Sequence, residues 1–120
     1  MTDLAPILNI LLALLSIGFG AIGWLAPRYT MGLLDLKAGE TTMGVSEIRA
    51  ASGALFVGLG IGALLLGTPA AYAMIGCAWG GAGIGRLTSI LADAAPTRRT
   101  WIFLAVEAAV GAVGVGINVS

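Results

Sequence analysis

The sequence predicts an all-α integral membrane protein, an antiparallel four-helix bundle with short connections, and three observations carry the prediction. Of 120 residues, 58% are apolar and only 10% charged, against about 45–50% and about 25% in soluble domains. Four stretches with few or no charges each approach the ~20 residues that cross a hydrocarbon core. All six Lys and Arg crowd around two of the connections between those stretches. Four spans use ~80 residues, which leaves no length for a soluble domain, so residues 1–120 read as a single transmembrane domain.

The first helix is predicted over about residues 4–26, where LAPILNILLALLSIGFGAIGWLA has no charge. Pro6 falls in its first turn, where a missing N–H is harmless, and Pro27 ends it. A cleaved secretory signal would want a basic start and a shorter apolar run. This start carries only Asp3 and runs into Trp24, Pro27 and Arg28, so the segment is expected in the mature protein. The following PRYTMGLLDLKAGETTMGVS is the one sizeable connection. Within it Tyr29, Met31, Leu33, Leu34 and Leu36 surround Asp35 and Lys37, a pattern that suits either a segment at the headgroup boundary or an irregular loop.

The second helix is expected over about 47–67, with Ser46 as N-cap and Glu47 in the first turn. Gly67-Thr68-Pro69 forces a break, and the third helix runs over about 70–91 despite its glycines, because unpaired backbone in lipid costs several kcal/mol per group. The polar bend ADAAPTRR leads to the fourth, about 100–119.

This arrangement puts both termini on one face. Arg28, Lys37 and Arg49 surround the first connection on the other face and Arg86, Arg98 and Arg99 the second, while the terminal face has only Asp3. By the positive-inside rule the charged loops are cytoplasmic and both termini outside, in a bacterial inner membrane. Trp24, Tyr29 and Trp101 fall at the cytoplasmic ends and Tyr72 at the outer end, where aromatic belts form; Trp79 alone lies mid-span.

Lipid gives no hydrophobic drive between helices, so packing rests on small residues. Ala50, Ala54, Gly58 and Gly62 recur four apart on the second helix, Gly76 with Gly80 and Gly81 with Gly85 on the third, and Ala108, Ala112 and Gly116 on the fourth. Gly53, Gly58, Gly62, Gly76, Gly80 and Gly111 are the expected packing positions. They close the bundle or, with a surplus face, form a homo-oligomer.

Two charges fall inside spans. Arg86 lies about five residues before the end of the third helix and Glu107 six after Trp101, so each is roughly 8–9 Å below the cytoplasmic boundary. Unpaired intramembrane charges cost about 2.5–3.5 kcal/mol or more each, which predicts an Arg86–Glu107 ion pair inside the bundle. Glu107 shares its face with Gly111, Gly114 and Asn118. Glu47 is expected to share the Ala54–Gly58 face and reach Arg86, while Arg49 reaches Glu107 or snorkels to lipid phosphates. The neutral cluster Glu47, Arg49, Arg86 and Glu107 is the candidate site, as a structural lock or a functional one. Asn9 and Asn118 are placed to hydrogen-bond across helices near the outer boundary. Ser52, Thr88 and Ser89 can bond back to their own helices, and Cys77 reads as an inert apolar thiol.

The run Glu47-Ile48-Arg49-Ala50-Ala51-Ser52-Gly53 resembles the E-x-R-A-x-x-G signature of an uncharacterised bacterial family of small four-helix membrane proteins, domain of unknown function 4345. Gly85-Arg86-Leu87 in the third span and Val106-Glu107 in the fourth extend the resemblance over most of the chain. Where that family shows an aromatic before the first Gly of this run and a second Gly directly after it, Ser52 and Ala54 stand here. The resemblance implies no activity. The architecture is also similar to the DoxX-like four-helix group, some of whose members are linked to quinone or redox enzymes.

Composition excludes several functions. Zero formal charge and no basic stripe argue against nucleic acid. With no His and one Cys, the usual zinc, copper and haem ligand sets and any C-x-x-C pair are missing, and no cofactor is implied. The expectation is a non-enzymatic accessory protein or a binder of an amphiphile, lipid or quinone-like molecule in the bilayer, alone or within a larger membrane complex. Alternatives are a proton or small-solute transporter, for which Asn9, Asn118 and Thr68 make a sparse outer path, and a quinone-linked redox accessory subunit.

Overall fold

In the computed structural model, residues 4–94 and 96–119 are described; Asp3 and Ser120, which mark the terminal face, lie outside that range. The described residues form five helices and no strand: α1 (Leu4–Leu25), α2 (Pro27–Leu33), α3 (Met43–Leu66), α4 (Pro69–Ala92) and α5 (Arg98–Gly116). Three of them, α1, α3 and α5, are long and apolar enough to cross a membrane. The 24-residue α4 has the length, but its glycines, Arg86, Thr88 and Ser89 dilute its apolar content.

The helix ends follow local chemistry. Pro27 does more than end α1. It occupies the first turn of α2, where its fixed φ suits a helix start, so part of the connection expected to be loop or interfacial segment is helical. Asp35, in the left-handed region at φ 56°, turns the chain out of α2. The second long helix begins at Met43 rather than at Glu47, with Thr42 at its N-cap; Ser46 is not a cap and lies within the first turn. Gly67 ends α3 at φ 64°, a conformation that glycine adopts without a Cβ penalty. Thr68 then caps α4, accepting from the Ala71 N–H. A capping box of Thr97 and Thr100 opens α5 two residues before the predicted start, which takes Arg98 and Arg99 into its first turn. That helix ends at Gly116, short of Val119.

Inside α3, residues Ala50–Ala54 form a π turn, with the Leu55 N–H donating to the Ala50 carbonyl. The buried positions Val45, Ile48, Gly53, Gly60 and Ala63 record it: the step from Ile48 to Gly53 is five, where a regular helix would use three or four. The inserted residue rotates the downstream face, and this corrects the expected packing set. Gly58 and Gly62 meet nothing within 4 Å; of the three expected α3 positions only Gly53 enters the seam, where Gly60 joins it.

Two helix pairs result. In the α1–α3 seam, a Cβ on Gly20 would stand 2.7 Å from the Gly53 carbonyl oxygen, and one on Gly60 2.6 Å from that of Ala13. In the α4–α5 seam, a Cβ on Gly114 would stand 2.7 Å from the Gly76 Cα and one on Gly111 the same distance from the Gly80 Cα. Gly80 has slightly more room, its nearest neighbour being the Gly111 Cα at 3.6 Å. Contact at such range gives dispersion without side-chain ordering. Between the pairs sits the main core, with Leu12, Ala63, Tyr72, Ile75, Trp79 and Val110. Tyr72, expected at an outer belt, is buried there at 8% exposure.

Outward the chain is apolar: Leu65 is 81% exposed, Leu91 79% and Ile84 70%. Cys77 is exposed. Trp24, Tyr29 and Trp101 are also exposed, all near the end that carries α2. At the opposite end Asn9 and Asn118 exchange amide hydrogen bonds of 2.9 and 2.7 Å, tying α1 to the residues just after α5.

Candidate functional site

The α4–α5 seam closes on an ion pair. Gly83 faces Glu107, where an added Cβ would lie 3.4 Å from the Glu107 Cβ, so the helices stay close one turn before Arg86. Arg86 Nε donates to Glu107 Oε1 at 2.6 Å and Nη2 to Oε2 at 2.8 Å. This is the two-pronged geometry that suits a guanidinium to a carboxylate. The Glu107 side chain is 10% exposed and that of Arg86 29%. The guanidinium also lies over the Phe103 ring, 5.2 Å from its centre, so its cationic face meets the electron-rich face of an aromatic ring. The predicted pair is formed, and it is neutral as a unit.

The other two members of the expected cluster stand elsewhere. Glu47 is exposed on α3 and makes no salt bridge with Arg86 among the described residues. The shared face on which that contact depended is lost, since Gly58 meets no neighbour and the π turn lies between. Arg49 does not reach Glu107; its Nη1 donates to the Trp24 carbonyl at 2.7 Å. That carbonyl is in the last turn of α1, where no backbone N–H of the same helix remains to pair with it. Arg99 acts similarly across the chain, with Nη1 at 3.3 Å from the Leu33 carbonyl oxygen at the end of α2. Arg49 and Arg99 thus cap helix C-termini, where cationic charge is favoured by the helix dipole.

Beside the ion pair lies a half-open cavity of about 470 Å³, within the size range of small-molecule pockets. From α4 it takes Trp79, Ala82 and Arg86, and from α5 Phe103, Val106 and Glu107. Phe19 of α1 and Ser52 and Phe56 of α3 form further walls, and Thr30 and Leu34 close it toward α2. Phe19 and Phe56 each meet the Trp79 ring edge to face, with centres 5.6 and 5.5 Å away. The α3 π turn is part of this construction: Gly53 enters the helix seam while Ser52 lines the cavity. The polar atoms are few and mostly engaged. Thr30 donates to its own helix at Ala26, and Ser16, behind Phe56, donates to the Phe56 carbonyl. Trp79 Nε1 is buried without a hydrogen-bond partner among the described residues.

Sequence reasoning found Arg86 and Glu107 but missed the aromatic walls, because Phe19, Phe56 and Phe103 on three different helices share no spacing. The position of Trp79 in mid-span was the only available signal. Among the described residues, no group of His, Cys, Asp and Glu side chains is arranged to hold a metal ion.

Fold and site define a small all-α protein with three helices long and apolar enough to span a membrane and a buried Arg–Glu pair beside an apolar cavity. Over residues 4–117 the chain matches the family model described as a domain of unknown function, DUF4345, and it belongs to that family. No curated protein and no solved structure matches it.

Proposed function

We propose that this chain is a non-enzymatic bacterial inner-membrane protein, an antiparallel four-helix bundle of DoxX-like architecture with α4 as the fourth span. In this reading both termini lie outside, the charged connections are cytoplasmic, and the cavity between the helix pairs binds an amphiphile from the bilayer, of the lipid or quinone-like kind. The carrying observation is the cavity itself: about 470 Å³, walled by aromatic rings, half open, in a chain whose outer surface is apolar. A pure scaffold gains nothing from such a void, since each unfilled volume forfeits dispersion contacts. α4 is carried as a span despite Arg86 because that charge is neutralised inside the seam. The extra basic residues of the two charged connections support the orientation.

Trp79 reports on the cavity directly. With Trp24 and Trp101 replaced (W24F/W101F), titration of the detergent-solubilised protein with a brominated long-chain amphiphile should quench Trp79 emission saturably. Ala82→Leu, which fills the cavity wall, should abolish the saturable part. Quenching that is linear with concentration and insensitive to Ala82→Leu overturns the reading. A reporter fused after Ser120 should be active only on the outer side; activity in the cytoplasm overturns the orientation.

A further inference from the structure

Resting on the reading that the cavity holds an amphiphile, we infer that the occupant is a zwitterionic aminophospholipid. An acyl chain fills the apolar cavity, and the head lies in a smaller pocket beside it, with its phosphate on Arg86 and Arg99 and its ammonium on Asp35. This second pocket, about 70 Å³ and half open, is bordered by Asp35, Arg86, Thr97, Arg99 and Thr100. It shares Leu34, Arg86 and Phe103 with the apolar cavity, so a chain in one adjoins a head in the other. Arg86 is open to solvent: its side chain is 29% exposed, against 10% for Glu107. Only Nε and Nη2 meet the carboxylate. Nη1 and the second Nη2 N–H, the outer edge of the fork, have no partner among the described residues, and that edge suits a phosphate as the inner edge suits the carboxylate. Arg99, exposed at the rim, holds Nη1 at 3.3 and 3.4 Å from the Leu33 and Gly32 carbonyl oxygens. Its Nε and Nη2 donate to nothing among the described residues. Thr97 and Thr100 add little, since their hydroxyls are spent on the capping box.

Asp35 sets the charge of the head. It borders the same pocket as Arg99, yet the two form no salt bridge among the described residues. Because Glu107 neutralises Arg86, the pocket is left with one further cation, Arg99, and one anion, Asp35. A purely anionic head would bring its phosphate beside the Asp35 carboxylate with nothing to offset the repulsion, and a purely cationic head would meet Arg99. A head that carries both charges complements each of them. The source is lipid rather than a free solute, because the pocket continues into an apolar cavity and the surface around the bundle is itself apolar, with Ile84 and Leu91 70% and 79% exposed.

Chain-matched lipids test this on the intact, detergent-solubilised protein. Native mass spectrometry follows the bound fraction of lysophosphatidylethanolamine, lysophosphatidylglycerol and monoacylglycerol, all with a myristoyl chain, over a concentration series. The ethanolamine lipid should bind about tenfold more tightly than the monoacylglycerol, which offers the arginines no phosphate. It should bind about threefold more tightly than the glycerol lipid, the scale of one exposed ion pair. Asp35→Asn keeps a residue that tolerates the left-handed turn at φ 56°; it should erase the preference for ethanolamine over glycerol and leave both above the monoacylglycerol. Arg99→Gln should bring the ethanolamine lipid down toward the monoacylglycerol. Free glycerophosphoethanolamine, the same head without a chain, should leave the bound lipid undisplaced. Equal binding of the ethanolamine and glycerol lipids, or preference for the latter, overturns the zwitterion, and equal binding of all three overturns the head pocket; both results leave the cavity reading standing. Displacement by the free head overturns lipid as the source. Saturable binding of none of the three lipids overturns the cavity reading as well.

Discussion

Arg86 and Glu107, 21 positions apart in the chain, meet through two hydrogen bonds of 2.6 and 2.8 Å across a seam that Gly83 keeps narrow. Replacing one partner strands the other. Arg86→Leu should lower stability by about 2–3 kcal/mol, toward the low side of the ~3–5 kcal/mol for fully buried pairs because Arg86 is partly open. The double variant Arg86→Leu/Glu107→Leu should recover most of that loss. Thermal unfolding in detergent reads both, and equal losses would show that the pair is not coupled.

The glycines divide into two groups with opposite expected behaviour. Gly114→Ala puts a Cβ 2.7 Å from the Gly76 Cα, backbone that can move only by parting α4 from α5. A loss of about 1–3 kcal/mol follows. Gly58→Ala meets nothing within 4 Å and should leave the melting temperature of the isolated chain unchanged or slightly raised. Circular dichroism melts of the two variants, side by side, check the contrast.

Asn9 and Asn118 exchange two amide hydrogen bonds, and Asn118 also donates to the Gly114 carbonyl at 2.8 Å. Asn118→Ala should cost about 1 kcal/mol, within the range of interhelical hydrogen bonds in membranes, and Asn9→Ala a similar amount. Asn9→Leu/Asn118→Leu should cost less than the two single losses added, since neither amide is then left unpaired. A double-mutant cycle on unfolding in detergent gives the coupling.

Arg49 holds the end of α1 through the Trp24 carbonyl. Arg49→Ala should cost about 0.5–1 kcal/mol, concentrated locally. The expected signature is faster hydrogen–deuterium exchange over the α1–α2 junction with little change in α4 and α5. Protection that falls evenly through the molecule would instead point to loss of the whole α1–α3 seam.

Much of this architecture was legible in the sequence because lipid imposes one-dimensional rules. Charge-free length made α1 and the part of α3 after Arg49 readable as helices able to span a membrane, and the cost of isolated charge made Arg86 and Glu107 readable as partners, since two opposite charges at matching depth on helices joined by a short bend have few other solutions. The inward face of Glu107, Gly111 and Gly114 followed from helical spacing alone. Glu47 and Arg49 failed the same treatment. Their depth is near the boundary, where water and helix ends compete as partners, so neither charge is forced onto another.

What the tertiary structure alone decided is register and shape. One extra residue in the π turn at Ala50–Ala54 leaves Gly53 in the seam but puts Gly60 there in place of Gly58 and Gly62. Sequence periodicity assumes uniform pitch and cannot register such a shift. The cavity is likewise a property of how two pairs of helices diverge, made by Phe19, Phe56, Trp79 and Phe103 from separate elements. The sequence by itself determined where charge is excluded and where it must be paired, because solvation free energy belongs to each residue. Which side chains border the empty space was left to packing, because contact depends on all the helices at once.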